Sequence, residues 1–266
     1  MCFFPQSVTR SSRIVSLICL GLTAILSVTV VAQQTPPQQT NATALIGQIS
    51  NAFSGGQVIH QITLSGDAIW HAGGQEDSGP VTLTATMTGE FQMTLQLSRG
   101  QKLETQTGTG TGAACSWTGA DGKAHNIDLG NCWKPAVWFL PAISLQPSML
   151  SSSLVAADLG QGVIGSESTP YRHLNAQLQL TGLPAATIDS MEKRSTTDIG
   201  LEPTTMLPVV LEYKVHPDNG ASIPISIEAH YSNYQDVNGV KIPFLIQRSV
   251  NNSLQLEITV TSAQIN

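Results

Sequence analysis

The chain has 266 residues, of which only 11% are charged, against about 25% in ordinary soluble domains, so its solubility must come from uncharged polar side chains. The formal net charge is −6, and no Lys/Arg run forms the basic stripe that phosphate neutralisation requires, so nucleic acid is not an expected partner. Length alone fits one large all-β domain as well as two smaller domains.

Met1 to Ala32 has the pattern of a secretory signal peptide. Arg10 and Arg13 supply the positive charge, Ile14 to Val31 is apolar with Ser and Thr interruptions, and Val30-Val31-Ala32 offers a small-residue cleavage site. The apolar run is about 18 residues, the lower limit for an uncleaved membrane anchor. No stop-transfer charge follows it, so cleavage after Ala32 and an extracytoplasmic location, periplasmic or secreted, are expected. Without Arg10 and Arg13 the remainder carries −8.

Residues 33–42 read as a flexible spacer, because Pro36-Pro37 and the surrounding Gln and Thr deny it helix or central strand. A single domain is expected over 43–266. It begins with a helix capped by Thr43, carrying Leu45, Ile49 and Phe53 on one stripe and ending at Gly55-Gly56.

Period-two alternation then dominates. Val81, Leu83, Ala85 and Met87 alternate with threonines, and after Gly89-Glu90 the residues Phe91, Met93, Leu95 and Leu97 alternate with polar ones, which predicts a hairpin. The same period recurs at Leu174 to Leu180, Val209 to Val215, Ile223 to Ala229 and Leu254 to Val260. Alternation marks strands with one buried and one wet face, as antiparallel sheets have. His216-Pro217-Asp218-Asn219-Gly220 and Val237-Asn238-Gly239 provide turns. The expected fold class is mainly β: a curved antiparallel sheet or incomplete barrel with an N-terminal helix and one inserted lid-like helix. That lid is placed at Pro147 to Leu159, where Met149, Leu150, Leu154 and Val155 fall at helical spacing and Gly160 can terminate the helix.

Outside the signal segment only Cys115 and Cys132 remain, and in an oxidising compartment they are expected to form a disulfide. Asp121-Gly122 between them is a turn signal that would make the bridge a cross-strand staple. Trp133 and Trp138 flank an apolar loop that either shields the disulfide or forms the mouth of a cleft.

Common catalytic signatures are absent: no Gly-x-Ser-x-Gly, His-Glu-x-x-His, phosphate loop or dinucleotide fingerprint occurs. Histidines 60, 71, 125, 173, 216 and 230 lack the close spacing of a metal pair, so no metal, cofactor or catalytic residue is assigned. His230 falls in the wet register of its strand. Glu76, Asp77, Asp121 and Glu228 are the carboxylates that a dispersed hydrolytic site would draw on.

Tyr231-Ser232-Asn233-Tyr234 followed by Val237-Asn238-Gly239-Val240 and Pro243 resembles the LolA-like proteins, the periplasmic lipoprotein-carrier superfamily. The resemblance implies an incomplete antiparallel barrel wrapped around a helix, with an apolar concavity that receives acyl chains. Under that reading the protein is a non-catalytic binding protein with lipid or lipoprotein acyl chains as partners. The expected ligand-lining residues are Met87, Met93, Leu95, Met149, Leu150, Leu154 and Trp138. An envelope scaffold and a secreted hydrolase are the alternatives that the residues leave open.

Overall fold

The alternating segments pair into one sheet in the computed structural model, which describes residues 40–108, 112–119, 121–132, 143, 154–216 and 223–266. These residues all belong to one unit, Pro37–Asn266. In chain order the strands are β1 (Thr40–Asn41), β2 (Gln61–Ala72), β3 (Gln75–Thr86), β4 (Phe91–Leu97), β5 (Gly100–Thr107), β6 (Ala114–Thr118) and β7 (Ala124–Ile127). They continue with β8 (Leu154–Gly162), β9 (Tyr171–Leu178), β10 (Thr197–Leu201), β11 (Pro208–Val215), β12 (Ile225–Val237), β13 (Val240–Val250) and β14 (Ser253–Ile265). Three helices accompany them among the described residues: α1 (Thr43–Ser54), the short α2 (Leu129–Cys132) and α3 (Ala185–Ser195).

All neighbouring strands are antiparallel, and the order is β1-β8-β9-β10-β11-β12-β13-β14-β2-β3-β4-β5-β6-β7. Chain neighbours are sheet neighbours almost throughout, with β14 pairing β2 at the junction. The sheet is not closed, since β1 and β7 stand at its two ends.

Its curvature follows from one contact. Arg248 on β13 and Glu104 on β5 are separated in the sheet by β14, β2, β3 and β4, which in a flat sheet would hold them roughly 24 Å apart. They instead meet at 3.2 Å, so the sheet is rolled between them. A second contact draws an end strand inward: Asn131 of α2, just beyond β7, donates from Nδ2 to the His216 carbonyl at 2.7 Å and accepts the His216 N–H at 3.0 Å. His216 follows β11, so α2 bridges from the β7 end of the sheet towards its middle.

Inside the roll, pairing aligns a single row across seven strands: Leu174, Ile199, Leu211, Ala229, Arg248, Leu256 and Trp70. Helix α1 packs on β13 and lays Leu45, Ile46, Ile49 and Phe53 into the core formed by this inner face. Ala42 holds the N-cap position without a side-chain cap, so Thr43 is the first helical residue rather than the cap. Gly55 ends the helix at φ 61, the left-handed conformation in which glycine carries no Cβ penalty.

The turns follow their chemistry. Asn238 and Gly239 both have positive φ, 55 and 86, as a two-residue hairpin loop between twisted strands demands. Asn251-Asn252 does the same between β13 and β14, and Gly73-Gly74 between β2 and β3. Ile223, although in phase with β12, is 78% exposed and precedes the strand.

Helix placement departs from expectation. Of the lid predicted over Pro147 to Leu159, residues 147–153 lie outside the described residues, whereas Leu154 onward forms β8. Pairing with β9 and β1 overrides the helical spacing there, and Gly160 sits at φ 81 beside the β8–β9 register shift. The helix inserted between strands is α3, which packs on β9, β11 and α2. Its signal is local: Pro184 at the N-cap and Lys193 and Arg194 in the last turn, where they oppose the helix dipole.

The disulfide Cys115–Cys132 is present, with Cα atoms 5.2 Å apart. It is not a staple across the β6–β7 hairpin, because Cys115 pairs in register with Ile127 and the partner cysteine ends α2.

Candidate functional site

Of the expected lining residues, Met93 and Leu95 come together. They face inward on β4, both fully buried, and pair with Glu104 and Lys102 of β5. Met87 lies just past β3, half-buried, its Sδ 3.0 Å from His60 Nδ1. Leu154 opens β8, and Trp138, Met149 and Leu150 fall outside the described residues.

Because directly paired residues project on the same face, Lys102 and Glu104 stand on the inner side beside this apolar floor. There they border a hollow of about 180 Å³, shared with Trp70, Trp117, Arg248 and Gln255. Arg248 donates from Nη1 and Nη2 to the two Glu104 oxygens, each at 3.2 Å, and from Nη2 to Gln255 Oε1 at 3.1 Å. Lys102 Nζ lies 4.7 Å from the centre of the Trp70 ring and Arg248 Cζ 5.9 Å, within cation–π range. Trp117, partly exposed at the rim, stacks on His125 at 4.3 Å.

Burial alone would lower the Arg248 pKa, but the Glu104 carboxylate and Tyr213 together outweigh it and raise it, so the guanidinium stays charged inside the roll. The neighbouring Tyr213 is pushed well above the ordinary phenol range by burial. This charged wall escaped the sequence reading because its members lie far apart in the chain. The available signal was Arg248 itself, which occupies the inward register set by Val240, Ile242 and Ile246.

A second polar cluster sits on the outer face. The loop of residues 163–170 folds back over β10–β12, with Ile164 buried against Gly200 and Val210. Gly200 has no room for a side chain, since an added Cβ would come within 2.6 Å of Val210 Cγ1. Next along the loop, Ser166 donates its N–H and hydroxyl to the two oxygens of Glu228, both at 2.7 Å. His230 contacts Glu228 through Nε2 and approaches Glu167 Oε1 through Nδ1 at 3.3 Å. Tyr171 Oη donates to Glu167 Oε2 at 3.3 Å.

The outward register expected for His230 holds, but the loop half-buries the ring, so it is not a free surface histidine. Glu228, one of the carboxylates set out for a dispersed site, converges with it. Glu76, Asp77 and Asp121 do not. Asp77 instead accepts the Ser98 N–H at 3.0 Å and the Arg99 N–H at 3.1 Å, holding the β4–β5 turn.

Burial would raise the Glu228 pKa, yet the Ser166 hydroxyl, its N–H and His230 together hold it below the usual carboxylate value. A group depressed in this way stabilises the fold above its unfolded pKa of about 4.3, and the contribution is lost as pH falls through the lower folded value. Ser166→Ala removes the hydroxyl donor to this buried carboxylate. It should therefore cost about 1–3 kcal/mol at pH 7, with the deficit shrinking below pH ~4, as urea midpoints at several pH values will show.

The fold and its inner face define a class: a rolled, unclosed antiparallel sheet with a helix seated on its apolar side. No family model and no curated protein matches the chain. Among solved structures, it is similar to an outer membrane lipoprotein-sorting protein domain from Vibrio parahaemolyticus, at TM-score 0.48 and 10% identity over 83% of this chain and 91% of that one. A DUF1329 family protein from Desulfovibrio piger matches at TM-score 0.48 and 9% identity, covering 84% of this chain and 91% of that one. A LolA superfamily protein from Nitrosomonas europaea matches at TM-score 0.47 and 9% identity, covering 85% and 94%. Among the described residues no helix is long and apolar enough to cross a membrane.

Proposed function

We propose that the protein is an exported, non-catalytic binding protein that takes an acyl chain of a lipid or acylated protein onto the inner face of its rolled sheet. The observation that carries this reading is the seating of α1. One helix of 12 residues, between the two-residue strand β1 and Gly55-Gly56, covers an apolar surface built by many strands. Four buried apolar side chains at roughly 1.5–3 kcal/mol each amount to about 6–12 kcal/mol of burial. An acyl chain of about ten methylenes, at ~0.8 kcal/mol each, matches that, so exchange of α1 for a ligand is close to balanced. Lys102 and Arg248 at the hollow then meet the polar head while the chain lies against Met93 and Leu95.

Export is supported by the signal-like Met1 to Ala32, by the disulfide, which belongs to an oxidising compartment, and by the scarcity of charge. The test is direct. Protein expressed in a bacterial periplasm is analysed by native mass spectrometry and then titrated, after delipidation, with a fluorescent long-chain fatty acid. A co-purified lipid mass or saturable probe binding is expected; an empty protein that also ignores the probe overturns the reading.

A further inference from the structure

We infer that Glu167, Glu228 and His230 form a binding site for one divalent transition-metal cation, with Zn(II) the best match to their donor set. The site lies on the outer face and is independent of acyl binding on the inner one. One ligand atom from each residue falls within 4.8 Å of the others, close enough for small side-chain rotations to converge them on one ion. Zinc holds N and O ligands at about 2.0–2.1 Å, so tetrahedral ligands stand about 3.3 Å apart. Glu167 Oε1 and His230 Nδ1 are already at 3.3 Å.

The scaffold suits the task. Glu228 and His230 are two residues apart on β12 and therefore share a face, while Glu167 is brought over them by the β8–β9 loop. Supporting hydrogen bonds orient the ligands: Ser166 donates to both Glu228 oxygens, and Tyr171 donates to Glu167 Oε2, the oxygen turned away from His230. Gly165 permits this approach, because a Cβ there would lie 2.2 Å from Glu228 Oε2.

Charge points the same way. Two carboxylates share one imidazole, so the three groups keep a net negative charge whether or not the ring is protonated. That charge is sheltered, since the Glu228 side chain is 5% exposed, and a dication compensates it better than a single shared proton. Glu167 and His230 retain 26% and 29% side-chain exposure, which leaves an entry path and room for water as a further ligand.

The experiment is equilibrium dialysis of the metal-stripped whole protein against Zn(II) alone, read by elemental analysis, together with thermal melts with and without the metal. One equivalent per chain is expected, with a raised melting temperature. Glu167→Gln, on the loop, and His230→Gln are each expected to weaken binding at least about tenfold and to abolish the thermal shift, and Tyr171→Phe to weaken it by a smaller factor. Glu167→Gln alters no strand residue, so its melt without zinc separates lost binding from lost folding. Absence of a stoichiometric equivalent, or binding unchanged in both Gln variants, overturns the site.

Discussion

Phe53→Ala is expected to destabilise the protein by about 3–5 kcal/mol, the range for truncating a fully buried aromatic side chain. Phe53 is 1% exposed and is the largest side chain that α1 sends into the core. The substitution also tests the binding route. An apolar cavity stays dry and admits apolar guests, so the variant should bind a fatty-acid probe more tightly even as its urea midpoint falls. A loss of stability below about 1 kcal/mol would mean that the site collapses around the gap. Unchanged probe affinity would speak against exchange of α1 for the ligand.

Arg248→Met is expected to cost about 3 kcal/mol. Removing one partner of a buried pair typically costs about 3–5 kcal/mol because the other charge is stranded, and the 21% exposure of the Glu104 side chain places this pair at the low end. The double variant Arg248→Met/Glu104→Gln should recover much of the loss, giving a favourable coupling energy in a double-mutant cycle of denaturation midpoints. Additive effects would show that the pair does not hold β13 against β5. Trp70 lies in cation–π range of Arg248 and is expected to report the change in its fluorescence.

What could be read from the chain was what depends on neighbours in sequence. Alternation from Val81 to Leu97 gave β3 and β4 in their pairing, and Asn238-Gly239 and Asp121-Gly122 fell at turns. Cys115 and Cys132 could be paired by elimination, but not the element that carries Cys132. The lid at Pro147 to Leu159 failed where it could be compared with the structure, because Leu154 and Val155 fit a helical stripe and a strand equally well. The availability of β9 as a partner decided between them. Both polar clusters were hidden for one reason: Arg248 meets Glu104 across 144 residues and Ser166 meets Glu228 across 62, and no local pattern encodes a contact made by rolling a sheet or folding a loop over it. Glu228 and His230 were visible as residue types, whereas their convergence with Glu167 was not.

The bridge between Asn131 and His216 also bears on the order in which the chain assembles. It joins positions 85 residues apart, so the entropy of loop closure is large when α2 wanders freely. The Cys115–Cys132 bond spans only 17 residues and ties α2 to β6 before any distant partner is needed. The bond leaves the 85-residue segment between Asn131 and His216 unchanged, but it holds α2 beside β6 and so limits how far Asn131 can stray from the β7 end of the sheet.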